Sequence, residues 1–235
     1  MSLRESKHKK ASAWFSVKKA RVAQRTASKR VVRRDRLSEE ICYVAGVDVA
    51  YAKELSVGAV AVLDYKSLSL VESKTSHVNT EFPYIPTLLS FRETPPAVAA
   101  IRELRLPPDV LLVDGQGIMH PFRLGFASHL GLVLGRPTIG VAKTPLVGKV
   151  GEFKEDWAPI VDKKEVVGAA LITKKGAKPV YVSVGHMVSL RRAIEVVKHC
   201  TPRFRISKPI RLAHRIAAEE KRKVQNRKSA TSEGE

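Results

Sequence analysis

The chain is poor in the features that mark a membrane or an oxidising compartment. It has only two cysteines, Cys42 and Cys200, in 235 residues, too few for a disulfide framework. No run approaches the roughly 18 apolar residues of a membrane span. The N-terminus is charged and lacks the apolar centre of a signal peptide. No internal repeat is visible. We therefore expect a soluble, cytoplasmic protein. Acids are also missing in particular places: residues 1–36 carry 13 Lys/Arg against 2 acids, and residues 191–235 carry 13 against 5, while residues 37–190 hold 16 of each. Cationic ends on a neutral centre favour a polyanion, most simply nucleic acid, through counterion release. A charge run alone is equally compatible with a solvated tail.

What is present fits one globular unit. Hydrophobic content is 44%, ordinary for such a protein. Residues 1–10 read as a disordered basic tail, 11–223 as one catalytic domain and 224–235 as a second disordered tail. Within residues 11–34, Trp14, Val17, Ala20 and Val31 recur at helical spacing among Lys and Arg. Residues 42–51, 57–63 and 68–76 read as strands joined by short turns, an antiparallel meander. Residues 84–104 read as a helix entered through Pro83 and Pro86 and broken at Pro95-Pro96, with a second helix at 97–106. Strand 110–113, helix 122–134 and strand 138–142 form a parallel crossover. Residues 166–173 and 180–184 read as a hairpin, 189–198 as a helix capped by Ser189, and 210–223 as a last helix. The fold class is α/β: a mixed sheet, antiparallel meander then parallel βαβ, flanked by helices.

Three acids stand on separate elements of this plan. Asp48 lies in the first strand, Glu93 on a helix, and Asp114 just past an apolar strand, at the sheet edge where open α/β sheets build sites. Carboxylates brought together repel unless a cation neutralises them. Hard oxygen ligands suit Mg²⁺, with Mn²⁺ substituting, and such ions bind phosphate oxygens directly. One or two can activate a water and stabilise the leaving oxygen in phosphodiester cleavage. Each acid taken singly is more often a surface or capping residue. The adjacent Ser128 and His129 do not face each other on a helix, so they are read as packing residues rather than a nucleophilic pair.

Six motifs then carry a resemblance. Val44-Ala-Gly-Val-Asp-Val-Ala-Tyr51, Pro83-Tyr-Ile-Pro86, Phe91-Arg-Glu93, Val113-Asp-Gly-Gln-Gly-Ile-Met-His-Pro121, Ala127-Ser-His-Leu-Gly131 and Gly140-Val-Ala-Lys143 resemble endonuclease V in order and spacing, over about residues 12–223. The resemblance implies a ribonuclease H-like fold and a Mg²⁺-dependent endonuclease. It would nick DNA at the second phosphodiester bond 3′ to deoxyinosine, leaving a 3′-hydroxyl and a 5′-phosphate, in repair of deaminated purines. It places the metal carboxylates on Asp48, Glu93 and Asp114. Lys143 and His214 join them as catalytic positions, with His214 orienting water or a metal from outside the ligand set. Tyr84 becomes a wedge that fills the gap left by a flipped base, stiffened by its flanking prolines. Leu89 and Gly115 line the pocket for the flipped base, and His120 is a substrate-binding histidine near the scissile region that can donate to the base or a phosphate. The substrate is deoxyinosine-containing DNA, with inosine-containing RNA as the alternative, and the protein is expected to act as a monomer. A non-catalytic nucleic-acid-binding protein is the rival from another class. The Ser183-Val-Gly-His186 stretch resembles a family loop, which makes Gly185 and His186 DNA-backbone contacts. The chain departs from the family pattern at Thr87, where Gly is usual, at Phe122, where Arg is common, at Thr94 and at 207–209.

Overall fold

A computed structural model describes residues 16–232, with side chains through residue 226. The expected tail at 1–10 and the first residues of the basic helix, Trp14 included, lie outside the described residues. Among those described, nine strands form one mixed sheet in the order β3-β2-β1-β4-β5-β9-β8-β7-β6. The meander is β1 (Tyr43–Ala52), β2 (Leu55–Asp64) and β3 (Leu70–Asn79), with β2 in the middle and β1 joining it to the rest of the sheet. β1 pairs antiparallel with β2 and parallel with β4 (Val110–Asp114), which is parallel to β5 (Thr138–Ala142). The expected hairpin is β8 (Glu165–Leu171) with β9 (Val180–His186), and β9 closes antiparallel on β5. Two further strands, β6 (Lys149–Val150) and β7 (Trp157–Asp162), extend that side. The sequence reading does not include them: β6 is two exposed residues, and β7 alternates in burial only over a short stretch that holds Pro159.

Alternation along the central strands divides the core in two. Val44, Val110 and Leu112 face one apolar cluster with α4 (Leu190–His199) and α5 (Lys208–Ser232), while Ala45, Val47, Leu111 and Val113 face another with α2 (Leu89–Arg102) and α3 (Phe126–Leu134). The basic helix α1 (Val17–Ser28) has Ser16 as its cap and buries Ala20 and Gln24. Cys42 and Cys200 are both free thiols. No described helix is long and apolar enough to cross a membrane.

Four boundaries differ from the sequence reading, each for a local reason. The segment 84–88 is an irregular loop, closed by Leu88 N–H on the Ile85 carbonyl at 2.9 Å, and Thr87 sits in the left-handed region at φ 67°. One helix, α2, then runs through Pro95 and Pro96 instead of breaking there. Proline removes two helical donors, but Pro96, Ala97, Val98, Ala100 and Ile101 are buried, and Ser76 Oγ donates to the Pro96 carbonyl at 2.7 Å. Helix α3 starts at Phe126, not 122, because Arg123 adopts φ 54° and its guanidinium is drawn back onto the His120 carbonyl, Asp162 and Glu165. The last helix continues past 223 to Ser232, so the expected tail from 224 is helical over its described part.

Candidate active site

Strand register brings the first two acids together. Val47 is opposite Val113 on the parallel strands β1 and β4, so Asp48 and Asp114 follow side by side. Both are partly buried, with side chains 13% and 17% exposed. Helix α5 packs against this strand pair and delivers His214, whose Nδ1 lies 2.7 Å from Asp48 Oδ2. The close approach depends on Gly46: a Cβ there would sit 2.1 Å from the backbone of Pro209 at the start of α5. Asp48, Asp114 and His214 each offer one ligand atom within 4.8 Å of the others. Lys143, one residue beyond β5, places its Nζ 3.3 Å from Asp114 Oδ2 and remains 53% exposed.

Glu93 arrives from α2, on the other face of the sheet, and is outside that tight trio. It nevertheless feels both acids. Burial first, then the charges of Asp48 and Asp114, push its carboxyl up to about 8, with Arg92 opposing. Burial and Asp114 also raise Asp48, against the His214 contact and a 2.8 Å hydrogen bond from Val49 N–H. Such crowding is what a divalent cation relieves.

A cavity of about 300 Å³ opens beside the acids, and Glu93 and Asp114 line it together with Tyr84, Leu89, Gly115 and His120. Tyr84, Leu89, Gly115 and His120 thus border one cavity. Tyr84 is 67% exposed, with its ring out of the core. The backbone at Gly115 passes close to Phe126, whose Cβ would be 3.3 Å from an added methyl. His120 is buried, and burial, helped by the Arg21 charge, lowers its pKa to about 4. Its Nδ1 accepts from Phe122 N–H at 3.2 Å, so the neutral ring carries its proton on Nε2.

Two expectations change. Gly185 and His186 are not a surface loop. They end the buried strand β9, His186 Nδ1 accepts from Val32 N–H at 3.1 Å, and a Cβ on Gly185 would meet the Thr138 backbone at 2.4 Å. His214 lies within ligand distance of the acids rather than behind them. Ser128 and His129 behave as expected of packing residues: Ser128 Oγ reaches the Val184 carbonyl at 3.5 Å and His129 contacts Ser90 at 3.3 Å.

The sequence reading overlooked several neighbours. Tyr51 is pushed up by burial and by the Glu93 charge, and the Arg92 guanidinium lies 4.1 Å from its ring centre. Tyr51 Oη and Arg92 Nε are buried with no protein hydrogen-bond partner. Gln116 Nε2 donates to the Thr144 carbonyl at 2.8 Å across the cavity wall. Tyr51 and Gln116 both lie inside quoted motifs, but an aromatic on an apolar strand reads as core.

Residues 25–215 match the family described as Endonuclease V. The chain is 46% identical to an endonuclease V of Thermofilum pendens over 204 residues, covering 86% of this chain and 88% of that one. Among solved structures, endonuclease V of Streptomyces avermitilis superposes with a TM-score of 0.83 at 38% identity, covering 91% of this chain and 96% of that one. Ciona intestinalis endonuclease V, solved with a 24mer DNA containing an inosine followed by a ribo-adenosine, gives a TM-score of 0.80 at 32% identity over 88% of this chain and 98% of that one. The mixed sheet, the acids at its centre and these matches agree: the chain belongs to the endonuclease V family of phosphodiester-cleaving nucleases.

Proposed function

We propose that the chain nicks one strand of DNA at deoxyinosine, at the second phosphodiester bond on the 3′ side, leaving a 3′-hydroxyl and a 5′-phosphate, as a step in repair of deaminated purines. The observation that carries this reading is that Asp114 belongs both to the cluster with Asp48 and His214 and, with Glu93, to the lining of the cavity walled by Tyr84. Base capture and backbone cutting then share one site.

The acids fit a resident divalent cation, Mg²⁺ with Mn²⁺ as substitute: Asp48 and Asp114, grouped with His214, would hold it, and Glu93, close enough to feel both charges, would complete the carboxylate set. When bound, such an ion supplies activation of a water and stabilisation of the departing oxygen. The chain's own residues do the rest. His214 holds the Asp48 carboxylate in one orientation, and its ring stays exposed to solvent. The Lys143 ammonium, also exposed, offsets negative charge building on that phosphate. Tyr84 stands where its ring can replace stacking lost by a flipped base, a contribution of about 1–3 kcal/mol. A cavity of this size is at the small end of ligand sites, about 300–1,000 Å³, which suits a single base. Leu89 gives it an apolar wall, and His120 lines it as a neutral ring hydrogen-bonded to the Thr87 backbone. Next to Gly115 the bare backbone can read the carbonyl and N–H that distinguish hypoxanthine from adenine. The reading has the protein working as a monomer.

Inosine-containing RNA is a second substrate to weigh, since the Ciona relative was solved with a ribonucleotide next to the inosine. The test is a labelled duplex with one deoxyinosine, incubated with and without Mg²⁺, and a matched strand with inosine as a ribonucleotide. Metal-dependent nicking one nucleotide beyond the bond next to deoxyinosine supports the proposal. Cutting confined to the RNA strand moves the substrate to RNA, and binding without cutting on either strand refutes the catalytic reading.

A further inference from the structure

The basic helix α1 buries one uncharged polar side chain completely: Gln24 is 0% exposed. Its Nε2 carries two hydrogens and uses both. One goes to the Thr87 carbonyl at 2.8 Å and the other to the Leu124 carbonyl at 3.2 Å. Its Oε1 accepts from the Arg21 guanidinium at 3.0 Å, which also donates to Thr87 at 3.2 Å and to Pro86 at 3.0 Å. Thr87 follows the Tyr84 finger, and Leu124 closes the turn that starts at His120. These are the two irregular segments that wall the cavity. Thr87 needs the clamp in particular, because a β-branched residue at φ 67° is held in a region that only glycine visits freely. Arg21 also lies over the ring of Phe122, 4.5 Å from its centre, so the turn is gripped from the same helix a second time.

We propose that Gln24, with Arg21, is a positioning residue that sets the spacing between the Tyr84 finger and the base cavity. The inference rests on the reading of that cavity as the inosine site. Gln24 is absent from the cavity lining and from the acid cluster, so it acts through the two loops. The basic helix thereby does more than attract phosphates: it carries the strut of the recognition site. A side chain without donors at position 24 takes the side-chain donor from the buried Leu124 carbonyl, leaves Thr87 to Arg21, and lets the finger and the far wall move apart.

The test is a double-mutant cycle between Gln24→Met and Tyr84→Ala, read as kcat and KM for nicking of a deoxyinosine strand, with Mn²⁺ affinity measured alongside. Methionine keeps the length and removes both donors. With Tyr84 present, Gln24→Met is expected to raise KM about tenfold while kcat changes less than about twofold, and in the Tyr84→Ala background the same change should cost less than about threefold. Mn²⁺ affinity stays the same throughout. An equal loss in both backgrounds, an unchanged KM, or a parallel loss of Mn²⁺ affinity overturns the inference. Should Gln24→Met fail to fold, Arg21→Gln, at a partly exposed position, enters the same cycle with the same outcomes. A wild-type protein that leaves the deoxyinosine strand uncut overturns the proposed function and this inference with it. An active wild type with equal losses overturns the inference alone.

Discussion

Replacing Glu93 by glutamine tests the crowding of the acids directly, with no substrate needed. In the folded protein the Glu93 carboxyl is pushed from 4.5 up to about 8, first by burial and then by Asp48 and Asp114. Between those values the folded chain holds a proton that the unfolded chain has released. The stability this group contributes is therefore whole below pH 4.5 and is lost as pH rises toward 8. At 1.36 kcal/mol per pH unit the loss has a ceiling of about 5 kcal/mol. Water and side-chain adjustment around a partly accessible group lower it, and about 2 kcal/mol is the expected size. For a domain of this length that corresponds to roughly 4–8 °C in thermal midpoint. The assay is thermal unfolding in EDTA at pH 5 and pH 8. Glu93→Gln should match wild type at pH 5 and exceed it at pH 8, and Mg²⁺ should narrow the gap by stabilising wild type more. Groups common to both proteins cancel in the comparison. Identical midpoint changes from pH 5 to pH 8 in the two proteins would show that burial and the neighbouring acids do not hold the Glu93 proton.

Three further outcomes follow from particular contacts. Gly46→Ala forces a methyl against Pro209 at 2.1 Å; it should cost about 3 kcal/mol in denaturant unfolding and depress nicking by displacing Asp48 from His214, and a variant of wild-type stability would show that α5 does not pack there. Tyr84→Ala should weaken binding to a deoxyinosine strand about tenfold, the stacking of one base, while leaving Mn²⁺ affinity alone; an equal loss of both would make Tyr84 a core residue. Burial lowers the pKa of His129 from 6.5 to about 4, so between those values the unfolded chain takes up the proton first, and the contribution present above pH 6.5 is lost as pH falls. His129→Asn should flatten the acid side of the stability profile by about 1.4 kcal/mol per pH unit, and an unchanged slope counts against a neutral buried ring.

Much of the fold can be read along the chain where burial imposes a period. β1, β2, β4 and β5 are apolar runs bounded by turns, and the crossover through α3 follows from strand–helix–strand spacing. The misses lie where tertiary contacts overrule local chemistry. Pro95 and Pro96 would end an isolated helix, yet the α2 face buried on the sheet carries it through. Thr87 gives no sign of its left-handed backbone, because the donors that hold it come from Gln24 and Arg21, 63 and 66 residues earlier. Asp48 and Asp114 were legible as acids on strands, and β pairing made them neighbours. The ligand-distance position of His214 was not, since it depends on how closely α5 approaches at Gly46. His186 reads as a DNA contact only through the likeness of Ser183-Val-Gly-His186 to a family loop, whereas its ring Nδ1 accepts from Val32 N–H inside the fold.

The central claim is that Asp48, Glu93 and Asp114 hold one divalent site that serves phosphodiester cleavage. The most direct measurement is Mn²⁺ binding by calorimetry on wild type and on Asp48→Asn, Glu93→Gln and Asp114→Asn, with nicking of a deoxyinosine duplex followed on the same samples. Each substitution should weaken Mn²⁺ binding by about tenfold or more, on the order of 1.4 kcal/mol, and nicking should fall in step. Mn²⁺ affinity that stays at the wild-type value in all three variants would contradict the account.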